Sequence, residues 1–384
     1  MPDPSWTCEA IPGGRDPIRD AVITQLTSEP ITSHDVYCEQ RYASADGTRI
    51  AIERLPFGQP PEVWVCDLTG RMFLARAMAG RAVAANSHRN AVYAFAGDEQ
   101  QRLMRLDLSD LTIRELFRFK SDVGTEEGCL LNGPKVAVSP DERWLVIGPF
   151  HVRDNIYSLR LVEVETGEAQ ALCEVEDMWN PHHQFAPSGD GRLLVQVNRG
   201  GSPTWVNDVR GRTGPEGSTL IVVDMPSGTL TPLPVGAPHT ARISGHLCWI
   251  GGTGQILFTA APGVHESMID GTGVYEVAPD GGKSRRILAG QPVNHVAASD
   301  DGRFFIVDDY RTARVLVGSI ATGKVMELCD SHTRQGRPQH THVHPYMTPD
   351  NRHVIFNSNV TGVSQVYAAR LPEGFLASLE QGHE

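Results

Sequence analysis

Histidine is the residue type in this chain whose spacing most suggests chemistry. There are 15, and five fall between His332 and His353. In RPQHTHVHPYMTPDNRHVIF, His340, His342 and His344 alternate, so a strand here would turn all three to one face. Imidazole is the commonest transition-metal ligand, and two or three at i, i+2 make a natural chelate. Gln339, three residues before His342, could add a neutral oxygen if the chain turns there. His295 in VNHVAASDDG stands four residues before Ser299, and His246 in SGHLCWIGGTG stands three before Trp249. His182 and His183 in NPHHQFAPSGD occupy the matching place before another turn. One histidine at such a station reads as a structural residue. Recurrence at one offset reads as a metal or catalytic cluster.

The elements that must position these residues are written in the turns. A Ser/Pro-Asp-Gly/Asn/Glu type of turn followed by an apolar strand recurs along the chain. It reads SADGTRIAI from Ser44, NSHRNAVYAF from Asn86, SPDERWLVIG from Ser139 and PSGDGRLLVQV from Pro187. It continues as WIGGTGQILF from Trp249, SDDGRFFIV from Ser299 and TPDNRHVIF from Thr348. Each copy precedes a second strand that closes on a polar turn: VWVCDLTG, LMRLDLSD, LRLVEVETG, TLIVVDMPSG, VYEVAPDGG, RVLVGSIATG and VYAARLPEG. Asp and Gly populate the turns that join antiparallel strands, and β-branched residues favour the strands on either side. Seven copies at roughly 40–60-residue spacing predict an all-β, seven-bladed β-propeller. It is expected as one domain over residues 1–384, with a short N-terminal extension of about residues 1–25. Regular spacing over the full length disfavours a pair of β-sandwiches. The only helix candidate is FLASLEQ near the C-terminus.

Composition narrows the partners. The chain has 384 residues, with 34 Lys+Arg against 46 Asp+Glu and a formal charge of −12. That balance argues against nucleic acid and anionic membrane, which need Lys/Arg excess. No stretch approaches the roughly 18 apolar residues of a membrane span. The opening MPDPSWTCEAIPGGRDP has neither the basic region nor the apolar core of a signal peptide. Seven scattered cysteines with no C-x-x-C pair predict reduced, buried thiols and a cytoplasmic location. GGKS at Gly281–Ser284 lacks the glycine a phosphate loop requires and reads as a hairpin turn. There is no G-x-S-x-G elbow, and VHESM around His265 lacks the second histidine of a zincin helix.

Taken together, these residues resemble the oligogalacturonate lyases, seven-bladed propellers that cleave short pectin fragments with a bound manganese ion. The resemblance runs along nearly the whole chain and is most specific in the last three blades. The family's metal site uses a Gln-x-x-His-x-His run and a histidine from the preceding blade. Here these are Gln339, His342 and His344, followed by PYMTPDNRHVIFNSNVTGVSQVY, and His295 in NHVAASDDG. The proposed base lies in a His-x-x-Trp segment, matched by His246 in GHLCW. His340 has no role in that pattern. Blade four departs: where the family has Cys-His-Glu-Gly, this chain has VNRGG, which carries Arg199. The carboxylate-pairing arginine corresponds to Arg210 in VNDVRGRTG, and Arg199, His34 and His182 are expected at the substrate.

The resemblance implies a metal-dependent β-elimination on an acidic oligosaccharide. A divalent cation, Mn2+ in the family, would act as a Lewis acid on a uronate carboxylate. A neutral His246 would take the C5 proton, and Arg210 would pair a carboxylate. Two other readings are a lyase on a different uronate such as ulvan, and a non-enzymatic binding platform with a structural metal.

Overall fold

The computed structural model describes residues 5–96, 102–119, 135–201, 213–243, 245–260, 271–336 and 338–381. Its strands form seven antiparallel sheets, five of four strands and two of five. The seven sheets are the blades of a seven-bladed β-propeller, as the two series of turns predict. Every strand following a first-series turn is the second of its blade, from Arg49–Leu55 to His353–Ser358. Every strand of the other series is the third, from Glu62–Asp67 to Gln365–Arg370. The C-terminal run forms the helix Phe375–Glu380.

Contacts divide the chain into two compact units, Met1–Leu116 with Asn294–Glu384, and Phe117–Val293. In the first unit the second strands are buried along most of their length; Arg49–Leu55 is covered at every residue but its two ends. Ala91–Ala96 and His353–Ser358 have no accessible residue, and Phe304–Asp309 has only its last. A strand covered on both faces reads as a largely apolar run rather than an alternating one, and its polar members, such as Glu53 and Asn357, are hydrogen-bonded. Its core gathers Ile50, Ile52, Phe304, Ile306, Val354 and Phe356. Each such side chain removed from water contributes about 1.5–3 kcal/mol. The second unit has its own cores, around Leu159, Leu161, Leu193 and Val195, and around Leu220, Trp249, Phe258 and Tyr275.

Four of the seven recurring turns share a device. In each, the Ser or Thr hydroxyl donates to the Asp two residues on, at 2.6 Å for Ser44–Asp46, Ser139–Asp141, Ser299–Asp301 and Thr348–Asp350. The same oxygen accepts a backbone N–H of the returning strand, from Arg49, Trp144, Phe304 and His353. The side chains thus satisfy donors that a tight turn leaves open. Gly47 in the first of these turns has φ +70°, and a Cβ there would run into Asp350.

The N-terminal stretch completes two blades of the first unit. Val22–Gln25 pairs with the third strand of the last blade in the register Val22–Arg370 to Gln25–Tyr367, and Ile11–Arg15 adds outside it. Trp6–Thr7 pairs with Leu74 and Ala75 of the first blade. Among the described residues the cysteines form no disulfide; Cys38, Cys66, Cys173, Cys248 and Cys329 are buried. Cys8 is exposed, contrary to expectation, because its loop lies outside the cores; Cys129 lies outside the described residues. No described helix is long and apolar enough to cross a membrane.

Candidate metal centre

Three of the expected histidines converge in the first unit. His295 is the third residue of the strand Val293–Ala298 and is 1% exposed. His342 and His344 follow the 3-10 turn Gln339–Thr341 and precede the short strand Tyr346–Met347. One ring nitrogen from each lies within 4.8 Å of the others. The ring centroids of His295 stand 5.4 Å from His342 and 4.3 Å from His344, and those of the latter pair 5.5 Å apart. Nitrogens bound to one ion at about 2.1 Å stand roughly 3–3.5 Å apart, so modest closing of these rings suffices. The donor set fits a divalent metal ion: three imidazoles from two elements, with a buried carboxylate held behind one of them. His344 has φ +44°, a left-handed conformation unusual for a histidine and of the kind that collects at functional sites.

The expected reason for this convergence needs correction. The segment is not a strand: Gln339–Thr341 is a 3-10 turn, and the left-handed residue at His344 breaks any alternation. His340 accordingly leaves the cluster, and its ring centroid lies 6.5 Å from that of His34. Burial, with His34 nearby, lowers the His340 pKa. Gln339 is exposed at the start of the turn.

Behind the cluster lies a layer that the sequence reading missed. The Asp308 carboxylate is 0% exposed and sits 3.0 and 3.1 Å from His295 Nδ1. The His295 backbone N–H donates to the same group at 2.7 Å. His342 Nε2 is 2.7 Å from the Gly336 carbonyl. A carbonyl only accepts, so in a neutral His342 the proton is on Nε2 and the lone pair on Nδ1. The buried Asn357 donates to His342 O at 3.3 Å and to Asp35 Oδ1 at 2.7 Å, and its backbone N–H donates to Val343 O at 2.9 Å. Burial pushes the Asp35 carboxyl well above the usual range, against the opposing hydrogen bond from Asn357. Tyr37 lays its ring 4.5 Å from His344. An adjacent pair such as Asp308–Asp309, ending the apolar run FFIV, is the one signal that could have drawn attention to the carboxylate.

The other expected residues are placed as follows. His34 ends the strand Thr32–His34, with Nε2 3.2 Å from Glu53 Oε1. Glu53 also accepts the Ala82 N–H, so the imidazole is held by a fixed, buried partner. In the second unit, His182 has φ +44° and stands two residues before the strand Gln184–Phe185. His344 has the same φ and the same offset from its own blade's first strand. His246 is half-buried and immediately precedes the strand Leu247–Trp249. Before it comes Gly245 at φ +106°, where a Cβ would run into Gln196 Oε1. Arg199 donates to the carbonyls of Glu216, Gly217, Ser218 and Ala237 at 2.8–3.3 Å. In this structure it is a strut of its loop. Arg210 lies outside the described residues.

No protein-family model matches the chain. It is 20% identical over 400 residues to the oligogalacturonate lyase of Dickeya dadantii, covering 94% of this chain and 95% of that protein. It is 21% identical to the oligogalacturonide lyase of Pectobacterium atrosepticum, over 71% of this chain and 73% of that one. The chain is thus similar to oligogalacturonate lyases along most of its length. Solved structures agree on the fold. An oligogalacturonate lyase in complex with manganese superimposes with a TM-score of 0.72 at 18% identity, over 98% of this chain and all of that one. The oligogalacturonate lyase of Vibrio parahaemolyticus gives 0.72 at 17%, over 97% and 98%.

Proposed function

We propose that this protein is a metal-dependent lyase that cleaves short oligogalacturonates by β-elimination, releasing products with a 4,5-unsaturated uronate ring. The observation that carries the proposal is the cluster of His295, His342 and His344, found in a chain related over its length to lyases of that activity. These three residues, with Gln339 as a fourth candidate, would hold the ion, with Mn2+ the favoured identity. When bound, the ion would supply Lewis-acid stabilisation of the charge that develops on the uronate carboxylate.

The chain's own residues supply the rest. His246 is assigned the proton transfer: a neutral imidazole can accept the C5 proton near pH 7, and the residue is only half-buried. As that proton leaves, the electron pair forms the C4–C5 double bond and the C4–oxygen bond breaks, its electrons departing with the oxygen, which takes a proton from water to become a hydroxyl. Arg210 is assigned to a substrate carboxylate, for which guanidinium offers two parallel donors. His34, fixed by Glu53, and His182 are assigned to sugar hydroxyls or carboxylates. The free cysteines support action in a reducing compartment such as the cytoplasm.

The test is ultraviolet detection of unsaturated uronate from di- and trigalacturonate. Chelated protein should be inactive and should recover with Mn2+; full activity of metal-free protein would sink the proposal. His246→Ala should abolish turnover with metal content unchanged. The same assay on ulvan oligosaccharides separates the reaction from the identity of the sugar.

A further inference from the structure

Resting on the metal reading above, we propose that Asp308 is a positioning residue that fixes the tautomer of His295 and thereby commits its Nε2 to the metal. Both residues are buried, Asp308 at 0% and His295 at 1% exposure, so this contact has no competition from bulk water. Both carboxylate oxygens lie within hydrogen-bond distance of Nδ1, and Oδ1 also accepts the His295 backbone N–H at 2.7 Å. One carboxylate thus grips the residue at its backbone and its ring together. That fixes where the side chain starts and how the imidazole is turned.

The proton assignment follows from donor and acceptor types. An ionised carboxylate only accepts, so the proton between the pair belongs to Nδ1 and the lone pair to Nε2. Asn294 Nδ2 also lies 3.2 Å from Nδ1. An amide N–H cannot share a nitrogen that already carries a proton, and charge-assisted bonds to a carboxylate are roughly twice as strong as neutral ones. Asp308 therefore wins that competition. A carboxylate behind a metal-bound imidazole also raises its basicity, and losing such a partner typically weakens metal binding about 10–100-fold. Gln335 Nε2, 3.5 Å from Asp308 Oδ2, approaches the carboxylate from the other side.

The experiment uses the full-length protein and Mn2+ itself, with free Mn2+ counted by its electron paramagnetic resonance. Asp308→Ala should bind Mn2+ about 10–100-fold more weakly than wild type, and Asp308→Asn, which keeps shape and one acceptor, should lose less. In a His295→Ala background, Asp308→Ala should cause no further loss, since its effect passes through that ring. Wild-type affinity in Asp308→Ala, or an equal loss with and without His295, would overturn the proposal. Should Asp308→Ala not fold, the isosteric Asp308→Asn carries the same comparison. Long-range 15N–1H spectra of metal-free protein give an independent readout: the proton of His295 should be on Nδ1, and a proton on Nε2 refutes the assignment. If wild-type protein binds no divalent ion, the metal reading fails, while the nitrogen spectrum still decides the tautomer.

Discussion

His183 gives a pH dependence whose size can be worked from its surroundings. It adjoins His182, is 5% exposed, and its Nε2 lies 3.1 Å from the Val146 carbonyl. Burial lowers its pKa to about 3, outweighing the carbonyl contact, with Lys135 and His182 adding to the fall. In the unfolded chain the imidazole titrates near its ordinary value of about 6.5. Between these values the unfolded state binds the extra proton, so stability is complete above pH 6.5 and declines as pH falls towards 3. At pH 5, about 1.5 units below the unfolded value, the loss is about 2 kcal/mol, at 1.36 kcal/mol per unit. The perturbation is His183→Gln, which keeps a donor for the Val146 carbonyl but cannot titrate. Urea unfolding of both proteins at pH 8, 6.5 and 5 isolates this residue, because every other group is common to the pair. Wild type should lose about 2 kcal/mol more than the variant between pH 8 and 5. Parallel pH profiles would show that His183 is hydrated or charged in the fold, and would refute the reasoning.

Three further outcomes are expected. Mn2+ at about 100 times its dissociation constant should stabilise wild type by about 2.7 kcal/mol in thermal melts, and His342→Ala and His344→Ala should each abolish most of that gain. Gly245→Ala should destabilise the protein by about 2 kcal/mol or more and impair turnover with it, because φ is +106° and a Cβ would strike Gln196 just before His246; an unchanged melt would show that the turn relaxes. Glu9→Ala should cost about 3–5 kcal/mol in denaturant unfolding. Arg54, 1% exposed and 4.2 Å over the Trp64 ring, pairs with Glu9 at 2.6 Å and would be left buried with only the exposed Glu29 carboxylate, 4.0 Å away, as a counter-charge.

The blades were legible because their information is local. In four of the turns a hydroxyl and an Asp stand two residues apart so that the turn satisfies its own donors, and the second strands are rich in apolar residues. The first strands leave weaker traces, since Gln184–Phe185 and Tyr346–Met347 are two residues each. Ile11–Arg15 reads IPGGR, with Pro and Gly and every residue exposed; only its partner Val22–Gln25 makes it a strand. At the candidate site, the spacing of His342 and His344 pointed to the cluster while the strand behind that reading is absent. What brings them together is a 3-10 turn after Pro338 and one left-handed residue, both set by tertiary contacts such as those of Asn357. Asp308 and Asp309 are indistinguishable in a single sequence. One is buried against His295, while the other accepts the N–H groups of Arg311 and Thr312 in a turn. Alternation along the strand cannot tell them apart, because buried second strands do not alternate.

That burial also bears on how a chain of charge −12 could take an acidic sugar. The net charge opposes a polyanion only where carboxylates face it. In the first unit, three acids around these histidines are each engaged by another group. Asp308 is held against His295 and Glu53 against His34 and the Ala82 N–H, while Asp35 is bonded to Asn357 and shifted towards its neutral form. The groups offered to an ion are imidazoles, which leave its positive charge uncancelled. A site assembled instead from aspartates and glutamates would neutralise the cation before the substrate arrived. Exchanging His344 for Asp tests this point: Mn2+ binding should persist, because a carboxylate is a competent ligand. The apparent affinity for trigalacturonate should nevertheless fall, since one more negative charge faces the anion. A variant that kept both metal and substrate affinity would show that the neutrality of the donor set is not what admits the sugar.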